Sequence, residues 1–373
     1  MQFIDLKKQQ YIIKEGLNQR IADVLGHGRY IMGPEVNELE ELLANFVGAK
    51  HCISCSSGTD ALLIPLMARG IGPGDAVITT TFTYIATAEV IRLVGATPVF
   101  IDIDLKTFNL NPELISGAVE FSKSKNLTPK AIIPVDLFGL PADYEQIEIV
   151  ASKFDLFIIE DAAQGFGSSI NGKRAGSFGN VGSTSFFPAK PLGCYGDGGA
   201  IFTDVDELAQ KMTSIRVHGS GTDRYDNVRL GINGRLDTLQ AAILLEKMVI
   251  FPEEVLKRNE VAKYYNSNLF EHFKTPVIPD GYISSWAQYS LLAKSLRERD
   301  IIFKNLKLNN IPIMIYYKIP LHLQKIFSDL GYKKGDFPVS EECSEKIFSI
   351  PMHAYLDQNQ QDAIIEALKS IEL

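Results

Sequence analysis

The sequence predicts an α/β fold with two parts: a large domain built on a mainly parallel, seven-stranded sheet between helices, and a smaller α+β domain after it. Three observations carry this. Seven short runs rich in β-branched residues recur through the first two hundred positions. Stretches with apolar residues at helical spacing lie between most of them, the pattern of strands covered on both faces by crossover helices. After about residue 250 the rhythm changes to longer helices with few strands.

In chain order, the strand runs are His51 to Cys55 (HCISC), Ala76 to Thr80, Thr97 to Ile101, Ala131 to Val135, Leu156 to Glu160, Gly182 to Phe187 and Ala200 to Thr203. Helices are expected at Asp60 to Arg69, Ile85 to Val94 and Tyr144 to Ser152. Two more are expected at Arg235 to Met248 and Pro252 to Phe270. A last helix is expected over Gln358 to Ile371. The division is expected at 1–250 for the large domain, N-terminal segment included, and 251–373 for the small one.

Composition narrows the function. The chain has 373 residues, 46% of them hydrophobic and 22% charged, the profile of a globular protein with a large core. Lys plus Arg number 37 against 45 Asp plus Glu, a net charge of −8, which argues against a nucleic-acid or anionic-membrane partner. No apolar run of about 18 residues marks a membrane span. Four cysteines do not make a disulfide framework, so a cytoplasmic enzyme is expected. Cys52 and Cys55 have knuckle spacing but lack a second pair, and no metal site is expected. The glycines from Gly193 to Gly199 do not open a first βαβ unit, so they are not read as a dinucleotide fingerprint.

Three segments can carry chemistry. Ser56-Ser57-Gly58-Thr59-Asp60 follows a strand and opens a helix, placing backbone N–H groups and hydroxyls where a phosphate dianion binds; a plain helix cap is the alternative. Phe157-Ile158-Ile159-Glu160-Asp161 ends an apolar strand in an acidic pair, and Asp161 can hold a cationic ring nitrogen or cap the next helix. Lys190 sits between Pro188 and Pro191 in a constrained turn, suited to a desolvated amine that forms a Schiff base or, failing that, to a surface loop. A phosphate cradle, a strand-end aspartate and a constrained lysine, in that order, are what pyridoxal phosphate requires.

These motifs resemble those of the DegT/DnrJ-type nucleotide-sugar aminotransferases, fold type I pyridoxal-phosphate enzymes. The likeness runs from Phe3-Ile4-Asp5-Leu6-Lys7 through Tyr30-Ile31-Met32-Gly33-Pro34, SSGTDAL, IEDAAQ and SFFPAKPLG to Pro351-Met352-His353. It implies that Lys190 is the Schiff-base lysine, that Asp161 pairs with the pyridinium nitrogen, and that Gln164 lies near the ring's phenolic oxygen. It further implies that Gly58, Thr59 and Ser185 hold the phosphate and that Tyr84 stacks on the ring. The Gly231-Ile232-Asn233-Gly234-Arg235 loop would reach a neighbouring subunit's site in a homodimer, Asn233 at the phosphate and Arg235 near the sugar. Pyridoxamine phosphate would be the intermediate form of the cofactor.

Around Lys190 the wording is similar to the branch that aminates UDP-2-acetamido-2-deoxy-3-oxo-glucuronate with L-glutamate, releasing 2-oxoglutarate, for bacterial surface polysaccharides such as lipopolysaccharide O-antigen. A uronate carboxylate would suit an arginine fork such as Arg235 or Arg29. Where relatives often show a His-Tyr pair, this chain has Tyr316-Tyr317 ahead of Pro320-Leu321-His322. Tyr316, Tyr317 and His322 are expected near the substrate, with the sugar's identity open at that departure. The rival readings are amination of a 3-keto- or 4-keto-6-deoxy nucleotide sugar, sugar dehydration, which the resemblance associates with histidine in place of Lys190, and a non-catalytic cofactor-binding sensor.

Overall fold

A computed structural model describes residues 1–223 and 225–371. Seven strands form the central sheet: β1 (His51–Cys55), β2 (Asp75–Thr80), β3 (Thr97–Ile101), β4 (Thr128–Ile133), β5 (Phe157–Asp161), β6 (Val181–Ser185) and β7 (Gly199–Thr203). Their order across the sheet is β1-β7-β6-β5-β4-β2-β3. All run in one direction except β7, which is antiparallel to both its neighbours. The mainly parallel sheet is therefore present, and its parallel strands deliver their C-terminal ends to one edge.

The faces follow from the two-residue period of a strand. Val77, Ala131, Ile133, Phe157 and Ile159 pack on one side against the helices Gly58–Ala68, Ala86–Leu93 and Asp206–Arg216. Ala76, Ile78, Ile132 and Ile158 pack on the other against Ile115–Ser124 and Tyr144–Lys153. A third cluster, under β1 and β7, joins the helix Pro34–Val47 to Leu192, Cys194 and the start of a long helix.

That long helix corrects the sequence reading. The segments expected to be two helices form one, Thr238–Leu269, with Pro252 inside it. Proline removes one N–H, but apolar contacts on both sides outweigh the break: Leu244, Leu245, Phe251 and Val255 lie in the large core, and Val261, Tyr265 and Leu269 in another. The second core includes β8 (Tyr289–Leu292), antiparallel to β9 (Ile347–Ile350), and the helices Leu296–Leu308 and Gln358–Lys369. We propose that the domain boundary falls inside this helix, between Val255 and Val261. The N-terminal segment touches both parts: the Met352 N–H donates to the Phe3 carbonyl in the second, while Gln9 Nε2 donates at 2.9 Å to Glu254 and Ile13 and Leu17 pack on Ile243, all on the first part's side of that boundary. Among the described residues no helix is long and apolar enough to cross a membrane.

Candidate active site

Three strand ends meet at the C-terminal edge of the sheet. β1 leads through Ser57, whose hydroxyl caps the helix Gly58–Ala68 by accepting the Asp60 N–H at 3.1 Å. The N–H groups of Gly58 and Thr59 find no acceptor among the described residues. Ser185, at the end of β6, abuts this helix start: a Cβ on Gly58 would stand 2.5 Å from the Ser185 Cβ and 2.8 Å from its hydroxyl. Free amides at the positive end of a helix, with a serine hydroxyl beside them, are the donor set a phosphate needs.

Asp161 closes β5. Its Oδ2 accepts from the Thr87 hydroxyl at 2.8 Å and its Oδ1 from the Ala163 N–H at 3.2 Å. Burial pushes its pKa up, opposed by the Thr87 hydroxyl, the nearby Lys190 and the Ala163 N–H. The carboxylate thus sits where a second, cationic partner would relieve its lost hydration. Lys190 is partly buried, and its side chain has no hydrogen-bond or salt-bridge partner among the described residues. Loss of hydration lowers its pKa, with Asp161 acting the other way. A depressed pKa raises the fraction of neutral amine, the form that attacks carbonyls and takes up protons.

Gln164 is gripped at both ends of its carboxamide: Oε1 accepts from the Phe138 N–H at 2.8 Å, and Nε2 donates to Tyr317 Oη at 3.2 Å. The Tyr317 ring lies 6.4 Å from that of Tyr84, which is 57% exposed and free to face a ligand. Tyr316 packs between Tyr317 and Phe3. Asp161, Gln164, Tyr317, Tyr84 and Lys190 therefore form one group beside the helix cradle.

Two expectations fare differently. His322 is fully enclosed, its Nδ1 2.6 Å from the Thr81 hydroxyl and its Nε2 3.1 Å from Glu341. With both ring nitrogens satisfied it ties the end of β2 to the helix Pro338–Lys346 and offers nothing to a substrate; its expected place near the sugar is corrected. Asn233 is exposed, its side-chain oxygen accepting from Arg235 Nε at 3.0 Å, while the adjoining Gly234 carbonyl accepts the Ser56 N–H. Exposed Arg29 lies just before Tyr30, whose carbonyl accepts the Thr238 N–H, so both arginines flank one seam. Thr87 was not anticipated; its signal was a lone polar residue among Ala86, Ala88, Val90 and Ile91 on the buried face of a helix. Beneath the site, Asp136 and Glu160 are also buried together. Asp136 accepts from the Ala142 N–H and Tyr144, and Glu160 from the Gly176 and Phe178 N–H groups.

The cradle, the buried carboxylate and the unpartnered lysine fit pyridoxal phosphate. Residues 11–369 match the model of the DegT/DnrJ/EryC1/StrS aminotransferase family. The chain belongs to that family. It is 49% identical over 371 residues, 99% of each chain, to UDP-2-acetamido-2-deoxy-3-oxo-D-glucuronate aminotransferase of Pseudomonas aeruginosa. A DegT/DnrJ/EryC1/StrS aminotransferase from Brucella abortus superposes with a TM-score of 0.96 at 50% identity, covering 99% of this chain and 98% of that one. NtdA of Bacillus subtilis, solved with bound cofactor PMP, gives a TM-score of 0.88 at 29% identity over 98% of this chain and 82% of that one. The chain is a fold type I, pyridoxal-phosphate-dependent sugar aminotransferase.

Proposed function

We propose that the enzyme moves the amino group of L-glutamate to UDP-2-acetamido-2-deoxy-3-oxo-D-glucuronate, giving the 3-amino sugar used for bacterial surface polysaccharide, in the cytoplasm and as a homodimer. The observation that carries the chemistry is Lys190, its side chain without a protein partner among the described residues, beside the buried Asp161 at the mouth of a phosphate cradle. The near-full-length 49% likeness to the Pseudomonas aeruginosa enzyme supports the choice of sugar.

When bound, pyridoxal phosphate supplies an aldehyde that condenses with amines and a cationic ring that withdraws electron density from the carbon being deprotonated. The protein does the rest. Gly58, Thr59 and Ser185 would hold the phosphate, Tyr84 would cover the ring, and Gln164, gripped by the Phe138 N–H and Tyr317, would stand beside it. Asp161, whose ionised form the Thr87 hydroxyl and the Ala163 N–H favour against its burial, would hold a proton on the ring nitrogen. Lys190 Nζ, its pKa lowered by desolvation, would take the proton lost by the glutamate α-carbon and give it back two atoms along, past the nitrogen; in the second half the same amine would work in reverse on the sugar. Asn233 and Arg235 serve the neighbouring subunit's site, Arg235 or Arg29 meeting the uronate carboxylate.

An absorbance titration tests this. Both glutamate and UDP-2-acetamido-3-amino-2,3-dideoxy-glucuronate should bleach the visible band of the purified enzyme. If glutamate bleaches it and the amino sugar does not, the sugar assignment falls and 3-keto- and 4-keto-6-deoxy sugars are next. If neither does, the aminotransferase reaction itself is wrong.

A further inference from the structure

Lys247 is a buried cation that the proposed chemistry does not use. It lies on the helix Thr238–Leu269 and is 1% exposed. Its Nζ donates to the Gly193 carbonyl at 2.5 Å and lies 4.3 Å from the centre of the Tyr195 ring. Gln240, seven residues earlier and so on the same helix face, accepts the Tyr195 N–H at 2.8 Å. Between these two polar grips, Leu192 and Cys194 pack against Leu244, Leu245 and Met248 of that helix.

The gripped segment begins three residues after Lys190. Backbone bonds close the rest of the turn: Lys190 N–H to the Phe187 carbonyl and Cys194 N–H to the Phe186 carbonyl, both 2.8 Å. The turn is tight, since a Cβ on Gly193 would stand 2.5 Å from the Pro188 carbonyl oxygen. Lys190 itself has no side-chain partner among the described residues, so its position is set by how firmly this turn is held. The groups facing Lys247 are the Gly193 carbonyl, the Tyr195 ring and the Cys194 thiol from the turn, with Glu254 from its own helix; burial dominates and pushes its pKa down to about 8. An apolar residue would avoid that desolvation, so retention of an ammonium here calls for a purpose beyond filling space.

We infer that Lys247 is a positioning residue for the reacting amine: its ammonium fixes the Gly193 carbonyl, and with it the turn that sets Lys190 Nζ against Asp161. This rests on the reading of Lys190 as the Schiff-base lysine. The test compares Lys247→Met, Gln240→Ala and Lys190→Ala by hydrogen exchange of residues 187–198 in cofactor-free protein and by the rate of the glutamate half-reaction per bound cofactor. Lys247→Met should fold, with a thermal midpoint at neutral pH no lower than the parent's, and lose protection at Cys194 and Tyr195. Its half-reaction should slow roughly 10- to 100-fold with little change in glutamate affinity, the effect expected of a misplaced group. Gln240→Ala, which releases the other end, should move both readouts the same way by less, and it decides the matter if Lys247→Met does not fold. Lys190→Ala should keep the protection and lose the half-reaction. Unchanged protection and rate in the Lys247 and Gln240 variants, with Lys190→Ala inactive, would overturn the clamp alone; an active Lys190→Ala would overturn the reading beneath it.

Discussion

Replacing Thr87 by Val probes Asp161 without touching the carboxylate. Thr87 is 1% exposed and valine has nearly its shape, so the exchange removes little except the hydroxyl that donates to Asp161 Oδ2 at 2.8 Å. A hydrogen bond to a charged group contributes roughly 1.5–3 kcal/mol, and each pKa unit corresponds to about 1.4 kcal/mol. Asp161 is already pushed up by burial and Thr87 heads the groups that oppose this. Its loss should therefore push the Asp161 pKa further up. The assay is kcat/KM for glutamate against pH: the acidic limb should move to higher pH in Thr87→Val and return in Thr87→Ser. A limb that stays in place, or moves to lower pH, would refute the assignment of Asp161 as the group that must be ionised.

Two further outcomes are expected. In Gly58→Ala, the new methyl meets Ser185 at 2.5 Å, so the helix start and β6 must part; pyridoxal phosphate affinity measured by equilibrium titration should fall at least about tenfold, and an unchanged affinity would remove Gly58 from the phosphate cradle. Asp136 is fully buried and pushed up to about 7 by desolvation beside Glu160. Between about pH 4 and 7 the folded protein then keeps a proton that the unfolded chain releases, so stability should fall as pH rises through that window. Asp136→Asn stands in for the protonated form and should flatten the dependence of the urea midpoint on pH; parallel curves for parent and variant would exclude the retained proton.

The strands were legible because they are enclosed on both faces, so their sequences are short continuous apolar runs rather than faint alternations. Where the reading slipped, a local residue explains it. Pro134 cannot donate to a ladder, so β4 stops at Ile133 and Val135 makes only an isolated bridge to Asp161. Pro252 reads as the start of a second helix, and only the three-dimensional packing of Phe251 and Val255 on one core and Val261 on the other reveals one helix. The residues proposed to bear the chemistry stand in the sequence as ordered motifs at strand ends. Their supports were not: Thr87 meets Asp161 across 74 positions and Lys247 meets Gly193 across 54, and no local spacing encodes such pairs. His322 misled because a histidine beside a departure from the family pattern looks like a ligand, whereas Thr81 and Glu341, distant in sequence, use both of its nitrogens.

The central claim is that one lysine carries the cofactor. Borohydride reduction of the holoenzyme, followed by proteolysis and mass mapping, should place a single pyridoxyl group on the peptide containing Lys190. A pyridoxyl group on the peptide containing Lys247, or on no lysine, would contradict the account.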